Sequence, residues 1–147
     1  MIAYLDTSAL VKAYVEEAGT EQVLELLHSA DIAAAHEMAY VEARSAFARL
    51  FREGHLTQPE FDRVKAEFES DWPKYAIVTS DSELLQRAAE MAEAFALRAY
   101  DSVHLAAAEY LATGIDETVT FLCFDRKLCQ AASVLRMHLI DDSDTDQ

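Results

Sequence analysis

The sequence predicts an α/β protein: a three-layer α/β/α sandwich around a mostly parallel central sheet. Two observations carry this. Short apolar runs alternate with amphipathic stretches along the chain, the pattern of strands joined by crossover helices. The strongest run, Thr118–Phe124, is β-branched and aromatic and stops at an acid, Asp125. No repeat and no Pro/Gly-rich linker interrupts the pattern, so one domain is expected over residues 1–140. Residues 141–147, with Asp141, Asp142, Asp144 and Asp146, read as an acidic, solvated tail.

In chain order, Ile2–Leu5 is an apolar run that ends at Asp6, a first strand. Leu10–Val15 follows as a short helix, broken at Gly19-Thr20. Thr20 opens a helix with Val23, Leu26, Leu27 and Ala30 on one face. Ile32–Ala35 is a small strand. Glu37–Arg52 is helical and ends at Gly54. Thr57-x-x-Glu60 is a capping box for a helix that places Phe61, Val64, Phe68 and Trp72 on one stripe until Pro73 stops it. Ala76-Ile77-Val78 is the next strand. Ser80-x-x-Glu83 has the form of a second capping box, before a helix with Leu84, Ala88, Met91 and Phe95 on its buried side. Asp101–Ala112 is helical, with Gly114 suited to a left-handed residue after the helix. Strand Thr118–Phe124, helix Arg126–Leu135 and a last short strand, Met137–Ile140, complete the pattern.

The 147 residues have 52% hydrophobic and 27% charged content, enough for a real core and near the ordinary charged fraction of about 25%. Disordered, collagen-like and disulfide-stapled classes are excluded. No apolar run reaches the roughly 18 residues of a membrane span. The N-terminus lacks the basic region of a signal peptide. Two cysteines, Cys123 and Cys129, suit a reducing compartment, so the chain reads as cytoplasmic. The net charge is −15. A protein that grips nucleic acid by charge alone is basic. An acidic one that meets phosphates does so through bound cations, and its surface also suits a basic partner peptide.

Asp6 and Asp125 each follow a strand directly and therefore fall at the carboxyl edge of the sheet, where such folds bind ligands. Glu42, in Ala39-Tyr40-Val41-Glu42-Ala43, and Asp101, at the head of Asp101-Ser102-Val103-His104-Leu105, lie in apolar helices that can flank that edge. Converging carboxylates are unstable alone, since two like charges about 5 Å apart repel by roughly 3 kcal/mol at an effective dielectric of about 20. Protonation or a hard divalent cation resolves this, and oxygen ligands suit Mg²⁺ or Mn²⁺ rather than zinc. Read singly, each acid is equally well a helix cap or a solvated side chain.

Four segments together go further. Tyr4-Leu5-Asp6-Thr7-Ser8-Ala9-Leu10-Val11-Lys12, Tyr40-Val41-Glu42-Ala43-Arg44-Ser45-Ala46-Phe47-Ala48-Arg49, Leu97-Arg98-Ala99-Tyr100-Asp101-Ser102-Val103-His104-Leu105-Ala106-Ala107-Ala108 and Phe121-Leu122-Cys123-Phe124-Asp125-Arg126-Lys127-Leu128 stand in this order. In that order the chain resembles the PIN-domain family, especially the small toxin ribonucleases of bacterial VapBC toxin–antitoxin pairs. The resemblance implies a Rossmann-like fold, Mg²⁺- or Mn²⁺-dependent endoribonuclease activity on RNA, a homodimer and a small antitoxin partner. It implies Asp6, Glu42, Asp101 and Asp125 as metal-binding acids, with Ser8, and less directly Thr7, as neighbouring hydroxyls. One position departs from the family: Cys123 stands where a Thr or Ser is usual, and a thiol is a weaker hydrogen-bond partner for Asp125.

His104 shares a helical face with Asp101 and reads as structural. His28, His36, His55 and His138 show no ligand spacing. Glu37 competes with Glu42 for the site, and the apolar neighbours of Glu42 favour it. Cys123 and Cys129 lack a base and read as buried apolar residues. Arg44, Arg49 and Arg52 lie on a basic hairpin with Arg63 and Lys65, either an RNA-contacting face or a solvated one. Tyr40, Phe47, Leu50 and Phe51 exceed one buried face and suggest a dimer or antitoxin contact. Two other functions fit an acidic α/β edge: a PIN-fold interaction module with weak or no catalysis, and a phosphohydrolase with Asp6 as nucleophile. Ser8 stands where the latter needs a second acid.

Overall fold

A computed structural model describes residues 1–140; the acidic tail lies outside them. The strands are β1 (Ile2–Leu5), β2 (Ile32–His36), β3 (Ala76–Val78), β4 (Val119–Leu122) and β5 (His138–Leu139). The helices are α1 (Thr7–Lys12), α2 (Thr20–Ser29), α3 (Ala39–Arg52), α4 (Gln58–Asp71), α5 (Ser82–Phe95), α6 (Ala99–Gly114) and α7 (Arg126–Val134), with a 3₁₀ turn at Trp72–Lys74. The five strands run in the order β3-β2-β1-β4-β5, and every pairing is parallel. No helix among the described residues is long and apolar enough to cross a membrane.

The alternation of side chains along each strand builds two cores. Ile2, Tyr4 and Phe121 face α5, α6 and α7, where Met91, Leu105 and Leu128 are buried. Ala3, Leu5 and Leu122 face the other way, onto Leu10, Phe47, Val64 and Phe68. The expected three-layer sandwich is therefore present. The chain leaves β1 on one side for β2 and β3, then returns to its other side for β4 and β5. The order reverses between β1 and β4, and the crevice at their carboxyl ends is where such sheets hold ligands.

Several ends differ from expectation for local reasons. Helix α1 starts at Thr7, not Leu10, because the Asp6 carboxylate caps it through the Ala9 N–H at 2.9 Å. Helix α3 starts at Ala39 rather than Glu37. Before it, the His36 ring accepts the Met38 N–H and Glu37 accepts the Ser80 N–H. The cap of α5 is Asp81, which accepts the Leu84 N–H at 2.8 Å, and the Ser80 hydroxyl instead meets the buried His36. Helix α6 begins at Ala99 and takes in Gly114 as its last residue, so Gly114 is not the left-handed residue expected. Gly54 is, with φ of +80°. The His55 N–H reaches the Leu50 carbonyl and the Gly54 N–H that of Phe51, closing α3 in a Schellman turn.

The capping box of α4 forms as expected: Thr57 Oγ1 accepts the Glu60 N–H and Glu60 accepts the Thr57 N–H. Thr57→Ala is expected to cost about 1 kcal/mol, within the usual range for losing such a cap. Urea unfolding that gives an unchanged midpoint would show that the cap contributes nothing. The rings of the α3–α4 hairpin pack on one another rather than forming a spare face. Phe47 meets Phe68 at 5.6 Å, Tyr40 stacks on Phe68 at 5.7 Å, and Phe51 stacks on Phe61 at 4.9 Å.

Candidate active site

Asp6 follows β1 and is 4% exposed. Its Oδ1 accepts the Ser8 hydroxyl at 2.8 Å besides the Ala9 N–H, and its own N–H is held by the Leu122 carbonyl of β4. Burial raises its pKa above the usual carboxylate value. The charge of nearby Asp101 pushes the same way, against His104 and the two hydrogen-bond donors.

Asp101 lies in the first turn of α6, and Arg98 donates to it at 3.2 Å. The other end of that guanidinium is 3.8 Å from Asp125 Oδ2. Asp125 caps α7 through the Leu128 N–H at 2.9 Å. Arg98 thus bridges the third and fourth acids. Cys123 joins the buried core, and the hydrogen bond with neighbouring Cys129, followed by burial, drives its thiol pKa far up.

Glu42 projects from α3, and its Oε1 is buried without a hydrogen-bond partner. The nearest donor is His104 Nε2, at 3.4 Å. His104 is itself buried, with the Tyr4 hydroxyl 2.8 Å from Nδ1 and Thr7 Oγ1 3.1 Å from Nε2. Burial, and then the charges of Asp6 and Glu42, push Tyr4 far above the ordinary phenol value, so it keeps its proton. The Tyr4 hydroxyl and Thr7 Oγ1 thus hold the His104 ring from its two nitrogens.

The structure thus ties Ser8 to Asp6, sets Glu42 beside His104, and links Asp101 and Asp125 through Arg98. As the side chains stand, no three His, Cys, Asp or Glu groups among the described residues are arranged to hold one ion. Glu37 is engaged by the Ser80 N–H. The three arginines separate. Arg44 is tied to Glu69 and Tyr40, whereas Arg49 and Arg52 line a groove of about 440 Å³ with Glu42 and Thr7. Tyr4 and the central place of His104 are the features that sequence reasoning missed. The signal for His104 was its position three residues after Asp101; nothing marked Tyr4 apart from an apolar strand residue.

A parallel sheet whose central strands end in a crevice with carboxylates on both sides defines an α/β protein with an acidic edge site. The PIN domain profile matches residues 3–134, which include all four acids, and the chain belongs to the PIN domain family. Ribonuclease VapC45 of Mycobacterium tuberculosis is 35% identical over 127 residues, covering 86% of each chain. The fold is shared with FitAcB of Neisseria gonorrhoeae, at a TM-score of 0.69, 19% identity, and 96% of this chain against 97% of that one. It is also shared with VapBC2 of Rickettsia felis, solved on a DNA fragment from its promoter, at a TM-score of 0.62, 13% identity, and 95% against 97% coverage.

Proposed function

We propose that this chain is a Mg²⁺- or Mn²⁺-dependent endoribonuclease that hydrolyses RNA phosphodiester bonds, and the toxin of a type II toxin–antitoxin pair. The observation that carries the reading is the buried carboxylate of Asp6 at the carboxyl end of β1 together with the buried, unpartnered Oε1 of Glu42, in a chain 35% identical to a ribonuclease. The donor set fits a hard cation. It consists of carboxylate oxygens, one of them the unpartnered buried Oε1 of Glu42, another on the desolvated Asp6. Asp6, Glu42, Asp101 and Asp125 would hold the ion.

When bound, the divalent ion supplies Lewis-acid polarisation of the phosphate and screens developing negative charge. The chain's own residues do the positioning. Ser8 and the Ala9 N–H fix one oxygen of Asp6 and leave the carboxylate in a single orientation. Tyr4 fixes the His104 ring, whose Nε2 meets Thr7 and faces Glu42. Such outer contacts matter, since their loss commonly costs 10–100-fold in metal affinity or activity. Arg98 offsets the repulsion between Asp101 and Asp125. Arg49 and Arg52 lie where an RNA backbone would reach the acids. A small basic antitoxin suits the −15 chain, and the VapBC2 relative supports such a pairing. A homodimer and a cytoplasmic setting complete the reading.

Incubation of bulk RNA with Mn²⁺ is the test. Cleavage that stops on adding a chelator is expected. No cleavage would turn the reading to a non-catalytic PIN-fold module. Hydrolysis of p-nitrophenyl phosphate in place of RNA would turn it to a phosphohydrolase, although Ser8, bonded to Asp6, fills the position where that chemistry needs an acid.

A further inference from the structure

Cys123 and Cys129 take no part in the chemistry above, yet they bracket one of its acids. Cys123 directly follows β4 and packs in the core. Asp125 comes two residues later, and Cys129 lies near the start of α7. The two side chains are in contact. Their thiols hydrogen-bond to each other, and Cys129 Sγ donates to the Cys123 carbonyl at 3.4 Å. Both line one groove of about 770 Å³, with Gln22, Arg126, Gln130 and Ser133. That volume lies within the range of small-ligand clefts. Cys129 is half-buried and Cys123 buried, so a small oxidant in the groove meets Cys129 first. The turn between them transmits what happens at the sulfurs. On the strand side, Phe124 packs its ring against Gly19 and holds it 4.9 Å from the Lys12 ammonium. On the helix side, Asp125 accepts the Leu128 N–H on its side chain and the Cys129 N–H on its carbonyl, each at 2.9 Å. Asp125 and Cys129 therefore move as one helical turn against an anchored strand end. Bonded sulfurs stand about 2.05 Å apart, closer than two thiols sharing a hydrogen bond. Closing the bond thus draws that turn, and Asp125 with it, toward the strand.

We propose that Cys123 and Cys129 form a reversible oxidation site for a disulfide oxidant of the glutathione class, and that closing their bond shifts Asp125 and weakens the hold of the acidic edge on its cation. The oxidation site stands on the thiol pair alone; its effect on the cation rests on the ribonuclease reading. The sulfur of Cys129 attacks one sulfur of oxidised glutathione, forms a mixed disulfide and expels one glutathione, which takes up the Cys129 proton. The sulfur of Cys123 then attacks that of Cys129, expelling the second glutathione with the Cys123 proton. Two protein thiols are oxidised to one disulfide, and one glutathione disulfide is reduced to two thiols. Excess reduced glutathione runs the steps backward, the behaviour of a transient, redox-sensing bond in a reducing compartment.

The test starts from the reduced protein, incubated with about a tenfold excess of oxidised over reduced glutathione, then alkylated and digested with trypsin. Cleavage after Arg126 and Lys127 puts the two cysteines on separate peptides, so mass spectrometry reads the bond as a linked pair. That pair is expected in wild type, lost in dithiothreitol, and absent from Cys129→Ser and Cys129→Ala. Mn²⁺ reads the state of Asp125. It should raise the Tm of reduced wild type and of both variants, and raise that of oxidised wild type less. RNA cleavage by wild type should fall about tenfold on oxidation and recover in dithiothreitol, while both variants ignore the oxidant. A mixed disulfide that goes no further, a bond between two chains, or no reaction overturns the oxidation site. A linked pair with an unaltered Mn²⁺ response overturns the coupling to Asp125. If reduced wild type cuts no RNA but the linked pair and the altered Mn²⁺ response appear, the proposal stands and only the ribonuclease reading falls.

Discussion

Asp6→Asn should reduce RNA cleavage by at least about a hundredfold, since loss of even an outer contact to a metal ligand costs up to that much, yet leave the protein as stable as before or more so. The two effects separate because Asp6 has two tasks. As a cap it needs one oxygen acceptor for the Ala9 N–H and the Ser8 hydroxyl, which an amide oxygen supplies. As a ligand it needs a charge, which an amide lacks. That charge is costly in the folded protein, because burial raises the Asp6 pKa above its ordinary 3.8. The sign follows from linkage. Below 3.8 the carboxyl is neutral in both folded and unfolded chains, and the charge costs nothing. As pH rises through 3.8 the unfolded chain ionises first, and the penalty grows until the folded carboxyl ionises too. Thermal unfolding in chelator should therefore show Asp6→Asn gaining on wild type from acid toward neutral pH. Mn²⁺ should raise the wild-type Tm and leave that of the variant unmoved, as a ligand bound only by the native state requires. An equally active Asp6→Asn would place the chemistry elsewhere.

Phe68→Ala is expected to destabilise the protein by about 3–5 kcal/mol, a large part of the roughly 5–15 kcal/mol that holds a domain together. Phe68 is fully buried and is the hub of an aromatic cluster. The rings of Tyr14, Phe47, Tyr40 and Trp72 lie 5.5–5.7 Å from it. Truncation leaves a void between rigid rings that cannot close around it, which puts the cost toward the upper end of that range. The loss also reaches the site, because Phe68 clamps α4 onto α3, and α3 carries Glu42, Arg49 and Arg52. Chemical denaturation should show the loss, with a weakened near-ultraviolet aromatic signal. A change below about 1 kcal/mol would mean that the cluster repacks.

The architecture was legible because strands and helices here differ in period and the acids sit where apolar runs stop. Leu5 before Asp6 marks the end of β1, and although β4 stops at Leu122, short of the expected Phe124, a parallel sheet still sends the residues after both strands to one edge. The helix ends were less legible. Ser80 and Asp81 are both good caps by sequence, and the choice fell to Asp81 because buried His36 takes the Ser80 hydroxyl, a partner from another strand. The Arg98 bridge and the Tyr4–His104 contact were unreadable for the same reason. Tyr4 and His104 are 100 residues apart, and only the folded sheet makes them neighbours. The surplus of rings on α3 suggested an outside partner, whereas α4 supplies their contacts.

Ile2 of the central strand β1 pairs with Val119 of β4, so one edge of β1 stays open until the chain that runs through β2 and β3 to β4 has been made. A prematurely released fragment lacks both the far wall of the crevice and Asp125. Contacts so distant along the chain also form slowly. A chain that stops short of β4 therefore leaves the acidic edge unfinished.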